Sequence, residues 1–196
     1  MIKIQFITSK EIKQHIIEND SKDILNTNEI TQIQKWTCKQ YGEILFDSET
    51  NNWKRKQSEL NEKIIGKSQL LFVIEDEDGE VFGYYFNPQI DEKVRYSEAD
   101  DYTFYFNIRS SNYRLRRPIN YQANELWKST HQKCCRLYSN SHRKLIRLGE
   151  IRLMKDNGMS NQSYCDLNVQ SDSSSRYVLC GKRTFIPQRI VVIQMK

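Results

Sequence analysis

Four soft ligands stand close together in the chain: His131, Cys134, Cys135 and His142. A structural zinc site needs four such groups whose spacing closes a tetrahedron. Adjacent cysteines aim apart, and H-x-x-C followed by C-x6-H is not a recurrent zinc spacing, so no metal is expected. Nucleophilic chemistry needs a Ser or Cys beside a base and an orienting carboxylate. Cys180 with Asp166 and a lysine is the single amidase-like candidate. No G-x-S-x-G or papain-like context surrounds any Ser or Cys, so no catalytic residue is assigned. Neither G-x-G-x-x-G nor G-x-x-x-x-G-K-[ST] occurs, and no cofactor is expected from those phosphate loops.

The strongest remaining signal is basic and interleaved with aromatics. Tyr113-Arg114-Leu115-Arg116-Arg117-Pro118 is followed by Lys128, Lys133, Arg136, Tyr138, Arg143, Lys144 and Arg147. Such clusters attract phosphates by releasing condensed counterions, and arginine forks fit phosphate and guanine edges. DNA is therefore the expected partner, engaged by Arg114, Arg116, Arg117, Lys133, Arg136, Arg143, Lys144 and Arg147. Neither a helix-turn-helix nor an RRM signature supplies a familiar groove-reading mode. The net charge of +5 conceals an asymmetry: residues 1–100 carry thirteen Lys and Arg against nineteen Asp and Glu, and residues 101–196 carry seventeen against six. That imbalance points to an anionic partner for the second half.

The elements that must position these residues are mostly strands. A length of 196 residues with 38% hydrophobic content bounds one domain with one substantial core. Residues 1–40 read as helical and packed on the remainder, 41–196, as one folding unit. Thr8 and Glu11 fit a capping box ahead of Ile12, Ile16 and Ile17, and a second helix begins near Asn28. Strands are expected at Glu43–Asp47, Gln69–Glu75, Val81–Phe86, Thr103–Arg109 and Arg189–Met195. The first hairpin turns on Asp76-Glu77-Asp78-Gly79, an acidic run that reads as a solvated turn and lacks the alternating ligands of a Ca²⁺ loop. Gly66 is available to end a short helix over Ser58–Ile65. Thr103–Arg109 alternates as a strand with one buried side, and Lys144–Lys155 holds two strand phases that align if Gly149-Glu150 forms a bulge. Ser160–Arg176 reads as a loop. The five cysteines are odd in number and lack a C-x-x-C pair, the longest apolar runs are too short to span a bilayer, and no secretory signal is read. Reduced thiols and a nuclear or cytoplasmic location are the expectation.

Several of these segments, in order, resemble the TLD (TLDc) family. They are Tyr41–Ser48, Leu70–Glu75, Gly79–Tyr85, Thr103–Ile108, Cys180–Phe185 and Ile190–Ile193, so the likeness covers roughly residues 36–196. Departures fall at Asn51–Lys54 and Leu148–Arg152, where the family pattern is glycine-rich. The resemblance implies an α+β fold, a β-sandwich of two mainly antiparallel sheets flanked by helices. Better-known members are associated with oxidative-stress resistance and with the vacuolar proton pump, which implies a stress-response adaptor on a protein complex as the alternative to a DNA-binding transcription regulator. A cysteine-dependent hydrolase or a nucleotide sensor stands third.

Overall fold

The computed structural model describes residues 23–91, 93, 96–110, 118–119, 134–156, 161–166 and 179–196. The expected capping box at Thr8 and Arg114, Arg116, Arg117, His131 and Lys133 lie outside them, as does most of the Ser160–Arg176 loop.

Helix α1 spans Thr27–Thr37. Asn26 caps it reciprocally with Glu29: the Asn26 side chain accepts from Glu29 N at 3.0 Å, and Glu29 Oε2 accepts from Asn26 N at 2.9 Å. Helix α2 is one short turn, Leu60–Ile64, and Gly66 beyond it takes the left-handed conformation (φ 75°). The described residues form twelve strands in chain order: β1 Glu43–Asp47, β2 Leu70–Asp76, β3 Val81–Phe86, β4 Tyr96–Glu98, β5 Phe104–Arg109, β6 Pro118–Ile119, β7 Cys134–Leu137, β8 Lys144–Leu148, β9 Ile151–Met154, β10 Ser163–Cys165, β11 Thr184–Phe185 and β12 Pro187–Gln194. They form two six-stranded antiparallel sheets, ordered β1-β12-β2-β3-β5-β6 and β11-β10-β9-β8-β7-β4. The α+β sandwich with flanking helices is therefore what the chain forms.

The first sheet is covered on both faces. Phe72, Ile74, Phe82, Tyr84, Tyr105 and Val192 meet Cys135, Ile146, Leu148, Ile151 and Leu153 between the sheets. On the other side Leu71, Val73, Phe106 and Ile193 pack against Ile24, Leu25 and Ile33. Fully burying one such aliphatic side chain is worth about 1.5–3 kcal/mol. Gly83 makes close packing possible: a Cβ there would stand 1.9 Å from Phe72 O and 2.7 Å from the Phe106 ring.

Three expectations are corrected. Strand β5 has two buried sides, because Tyr105 and Asn107 face the second sheet and Asn107 Nδ2 donates to Leu179 O. Gly149-Glu150 is not a bulge but the two-residue turn of a hairpin, since Arg147 pairs with Arg152 and Leu148 with Ile151. Gly149 (φ 57°) supplies the positive φ of the first turn position. The acidic turn is not simply solvated: Asp76 is 1% exposed, and Lys182 Nζ lies 2.8 Å from Glu77 and 3.4 Å from Asp76. Strands β7 and β10 sit inside stretches that read as polar.

Candidate functional site

The second sheet packs one face on the first sheet, and its other face, open among the described residues, carries the basic residues. Register places Tyr96 opposite Arg136, Arg136 opposite Arg147, Arg147 opposite Arg152, Arg152 opposite Tyr164, and Tyr164 opposite Thr184. One row thus crosses all six strands with three arginines at its centre and a tyrosine on either side. Directly opposed residues in an antiparallel pair stand about 4.5–5.5 Å apart, and like charges placed so oppose folding.

A second row lies beside the first. Pairing shifts between Lys144↔Met154 and Ile146↔Leu153, so Leu145 is the extra residue of a bulge. Leu145 and Ile146 are consequently both buried, and Lys144 comes to the same face as Arg147, which strict alternation would forbid. Tyr138 follows Arg136 on this face. Its ring lies 5.4 Å from the Arg136 guanidinium and 5.4 Å from Lys144 Nζ, and it stacks on His142 at 4.7 Å. His142 Nδ1 accepts from Lys144 N at 2.9 Å, so the neutral imidazole carries its proton on Nε2.

The electrostatics record the convergence. Burial and then Arg152, Arg147, Arg143 and Arg136 push the Lys144 ammonium below its ordinary range. Burial, Lys144, Lys155, Arg143 and Arg136 likewise depress His142. Compensation is partial. Arg147 Nε donates to Gly149 O at 2.7 Å and its guanidinium lies 3.7 Å from Glu150, a residue fixed by donating its N–H to Tyr105 Oη. Arg152 lies 3.3 Å from Asp166, which Arg183 shares at 2.9 Å. Arg136, Arg143 and Lys144 have no carboxylate partner among the described residues. Glu98 also stands on this face, opposite Cys134 at the sheet edge.

Four of the eight expected cations, Arg136, Arg143, Lys144 and Arg147, are thus gathered in one place. Arg152 belongs with them and was missed, although Ile151-Arg152-Leu153-Met154 alternates in a way that could have marked it. The other four lie outside the described residues.

Among the described residues the remaining chemistry does not assemble. Asp166 is held by two arginines and Lys182 by the acidic turn, so neither is free to activate Cys180, whose Sγ donates to Lys182 O at 3.2 Å. Burial pushes the Cys134 and Cys135 thiols up, away from the reactive thiolate. All five cysteines are free thiols, and no group of three metal-ligating side chains occurs among the described residues. None of the described helices is long and apolar enough to cross a membrane.

A two-sheet antiparallel sandwich with helices on its flanks, carrying a basic open face, defines the class as a β-sandwich domain. The family model for the TLDc domain matches residues 18–190, most of the chain. The protein belongs to the TLDc family. No curated protein matches the chain.

Proposed function

We propose that this TLDc domain is a regulatory binding module that docks on DNA through the open face of its second sheet. The observation that carries the reading is the row Arg136–Arg147–Arg152, flanked by Lys144 and Arg143, in which like charges are held side by side at a cost to stability. A polyanion relieves that repulsion. Arg114, Arg116, Arg117 and Lys133, in the segment leading into β7, extend the same positive character and are assigned as further phosphate or base contacts. A protein of this kind resides in the nucleus or cytoplasm.

The test is a salt titration of binding to duplex DNA, read by fluorescence anisotropy. Five phosphate contacts give a log–log slope of about −4 to −5 and an affinity loss of roughly 10²–10³ between 50 and 200 mM salt. Absence of duplex binding at about 50 mM salt, where phosphate contacts are strongest, ends the proposal.

A second reading is favoured by Tyr96 and Tyr164, which bracket the arginines, since Tyr and Arg dominate protein hot spots. In it the same face docks on an acidic surface of a protein complex, as an adaptor in a stress response. A stoichiometric partner recovered with the wild type and lost with Arg136→Ala, without duplex binding, selects this reading.

A further inference from the structure

The loop after β1 carries its own basic run, Lys54-Arg55-Lys56, and all three side chains are exposed. The fold seats it on the β7–β8 loop, some 85 residues away in the chain. Lys56 N donates to Asn140 O at 2.8 Å, Arg55 Nε to Ser141 O at 3.0 Å, Arg55 N to Asp156 O at 3.1 Å, and Asn61 Nδ2 to Tyr138 O at 2.9 Å. Lys56 holds a left-handed backbone (φ 74°) to make this junction, a conformation a lysine adopts only under constraint.

Beneath the junction lies Lys155, 2% exposed. Among the described residues its Nζ has one hydrogen-bond partner, Ser139 O at 2.7 Å. Burial pushes its ammonium below the ordinary lysine range, and the one charged group acting on it among the described residues is another cation, Arg55. Buried charges are normally paired, because an uncompensated one costs several kcal/mol. Two further polar features sit here: Asn140 Oδ1 is buried without a hydrogen-bond partner, and the Ser139 and Ser141 hydroxyls meet at 3.1 Å on the exposed side. No described carboxylate pairs with Arg55, Lys56, Arg143 or Lys155.

We infer that this loop junction is a binding site for a phosphate group, held by the Arg55 guanidinium and the Ser139 and Ser141 hydroxyls, with Lys155 as the buried charge it neutralises. A guanidinium fork fits an oxyanion and hydroxyls complete its coordination. The site shares a loop with the arginine row but is built from other residues and does not depend on it. The phosphate has two sources, a free phosphate or the backbone of a nucleic acid.

The test follows the Lys155 side-chain resonance by NMR through an alkaline titration of the full chain. It is run alone, with inorganic phosphate at about 10 mM, the range of a millimolar site, and with a duplex oligonucleotide. Phosphate is expected to move the Lys155 titration upward, and Arg55→Gln, an exposed substitution that leaves the fold intact, weakens phosphate binding about tenfold. A response to phosphate alone assigns the site to small phosphates, and a response to the duplex alone assigns it to the nucleic-acid backbone. No movement of Lys155 with either, or equal phosphate affinity in Arg55→Gln, overturns the site. Duplex binding with no Lys155 response to either ligand removes this site and leaves the arginine row. A response to phosphate without duplex binding does the reverse.

Discussion

The acidic turn after β2 and the cations around the β7–β8 loop are each a gathering of one sign, contiguous in the first case and dispersed over Arg136, Arg143 and Lys144 in the second. The fold treats them oppositely. Lys182 closes the first: hydrogen bonds to Asp78 and Glu77 overcome its burial and hold its ammonium well above the ordinary lysine range. Asp76 Oδ1 accepts from the amides of Asp78 and Glu80, both at 3.0 Å, which fixes the turn from within. The second gathering has no such lock. Arg136, Arg143 and Lys144 gather around Tyr138 and His142 without a carboxylate of their own among the described residues. A charge cluster satisfied internally holds the fold together; one left open is available to something outside it.

The largest effect expected from this contrast is on binding. Replacing Arg136, Arg143 and Lys144 together by Ala removes three phosphate contacts, which at about 0.1 M salt corresponds to a duplex affinity loss of roughly 100-fold or more and a salt slope shallower by about 3. The same triple variant changes unfolding free energy by no more than about 0.5 kcal/mol per site, because these are surface groups relieved of mutual repulsion. Anisotropy and urea denaturation on the same samples read both numbers. A large stability loss with unchanged affinity would invert the comparison.

Next in size is the lock itself. Lys182→Ala leaves the buried Asp76 facing Glu77 and Asp78 without their cation, and costs about 1–3 kcal/mol, or a Tm lower by several degrees in a chain of this size. Its pH dependence has a definite sign. The folded Lys182 is raised above the ordinary lysine value of 10.5, so its stabilisation is complete below that pH and fades as pH climbs through the folded value. Lys155 is depressed below 10.5, so the unfolded chain binds more protons between the two values and the wild type gains stability there as pH rises. Urea stability measured from pH 8 to 11 should show the wild type improving relative to Lys155→Met, and Lys182→Met beginning to approach the wild type only above about pH 10.5. Parallel curves would show that neither lysine differs between the folded and unfolded states.

The smallest effect is at His142. Its depressed pKa reflects burial and the surrounding cations, so an anion that neutralises them raises it and the complex takes up a proton. Duplex affinity should increase a few-fold as pH falls through the region of the ordinary histidine value of 6.5, and His142→Gln should flatten that rise. A flat profile in the wild type would place His142 away from the bound polyanion.

Legibility followed the range of the interactions. The β2–β3 hairpin was readable because its signals are contiguous: two apolar runs and a turn ending in Gly79. The start of α1 was read near Asn28, two residues beyond its cap Asn26, and the reciprocal pairing of Asn26 with Glu29 three residues on went unrecognised. Strands β7 and β10, of four and three residues, were not, because Cys134–Leu137 and Ser163–Cys165 are too short for alternation to stand out from their polar surroundings. The Gly149-Glu150 turn was misread because one phase change can come from a bulge or a reversal, and only the pairing of Leu148 with Ile151 distinguishes them.

The order of short motifs along the chain was enough to indicate the TLDc sandwich and a surplus of positive charge in its second half, because strand propensity and composition are local properties. Which cations stand beside one another was settled by register: three arginines from three strands fall into one row, a bulge at Leu145 adds Lys144, and a loop from residues 54–56 closes over Lys155. Alternation tells a residue which side of its strand it occupies but not which neighbour it meets, and that neighbour is chosen by packing across the whole sandwich.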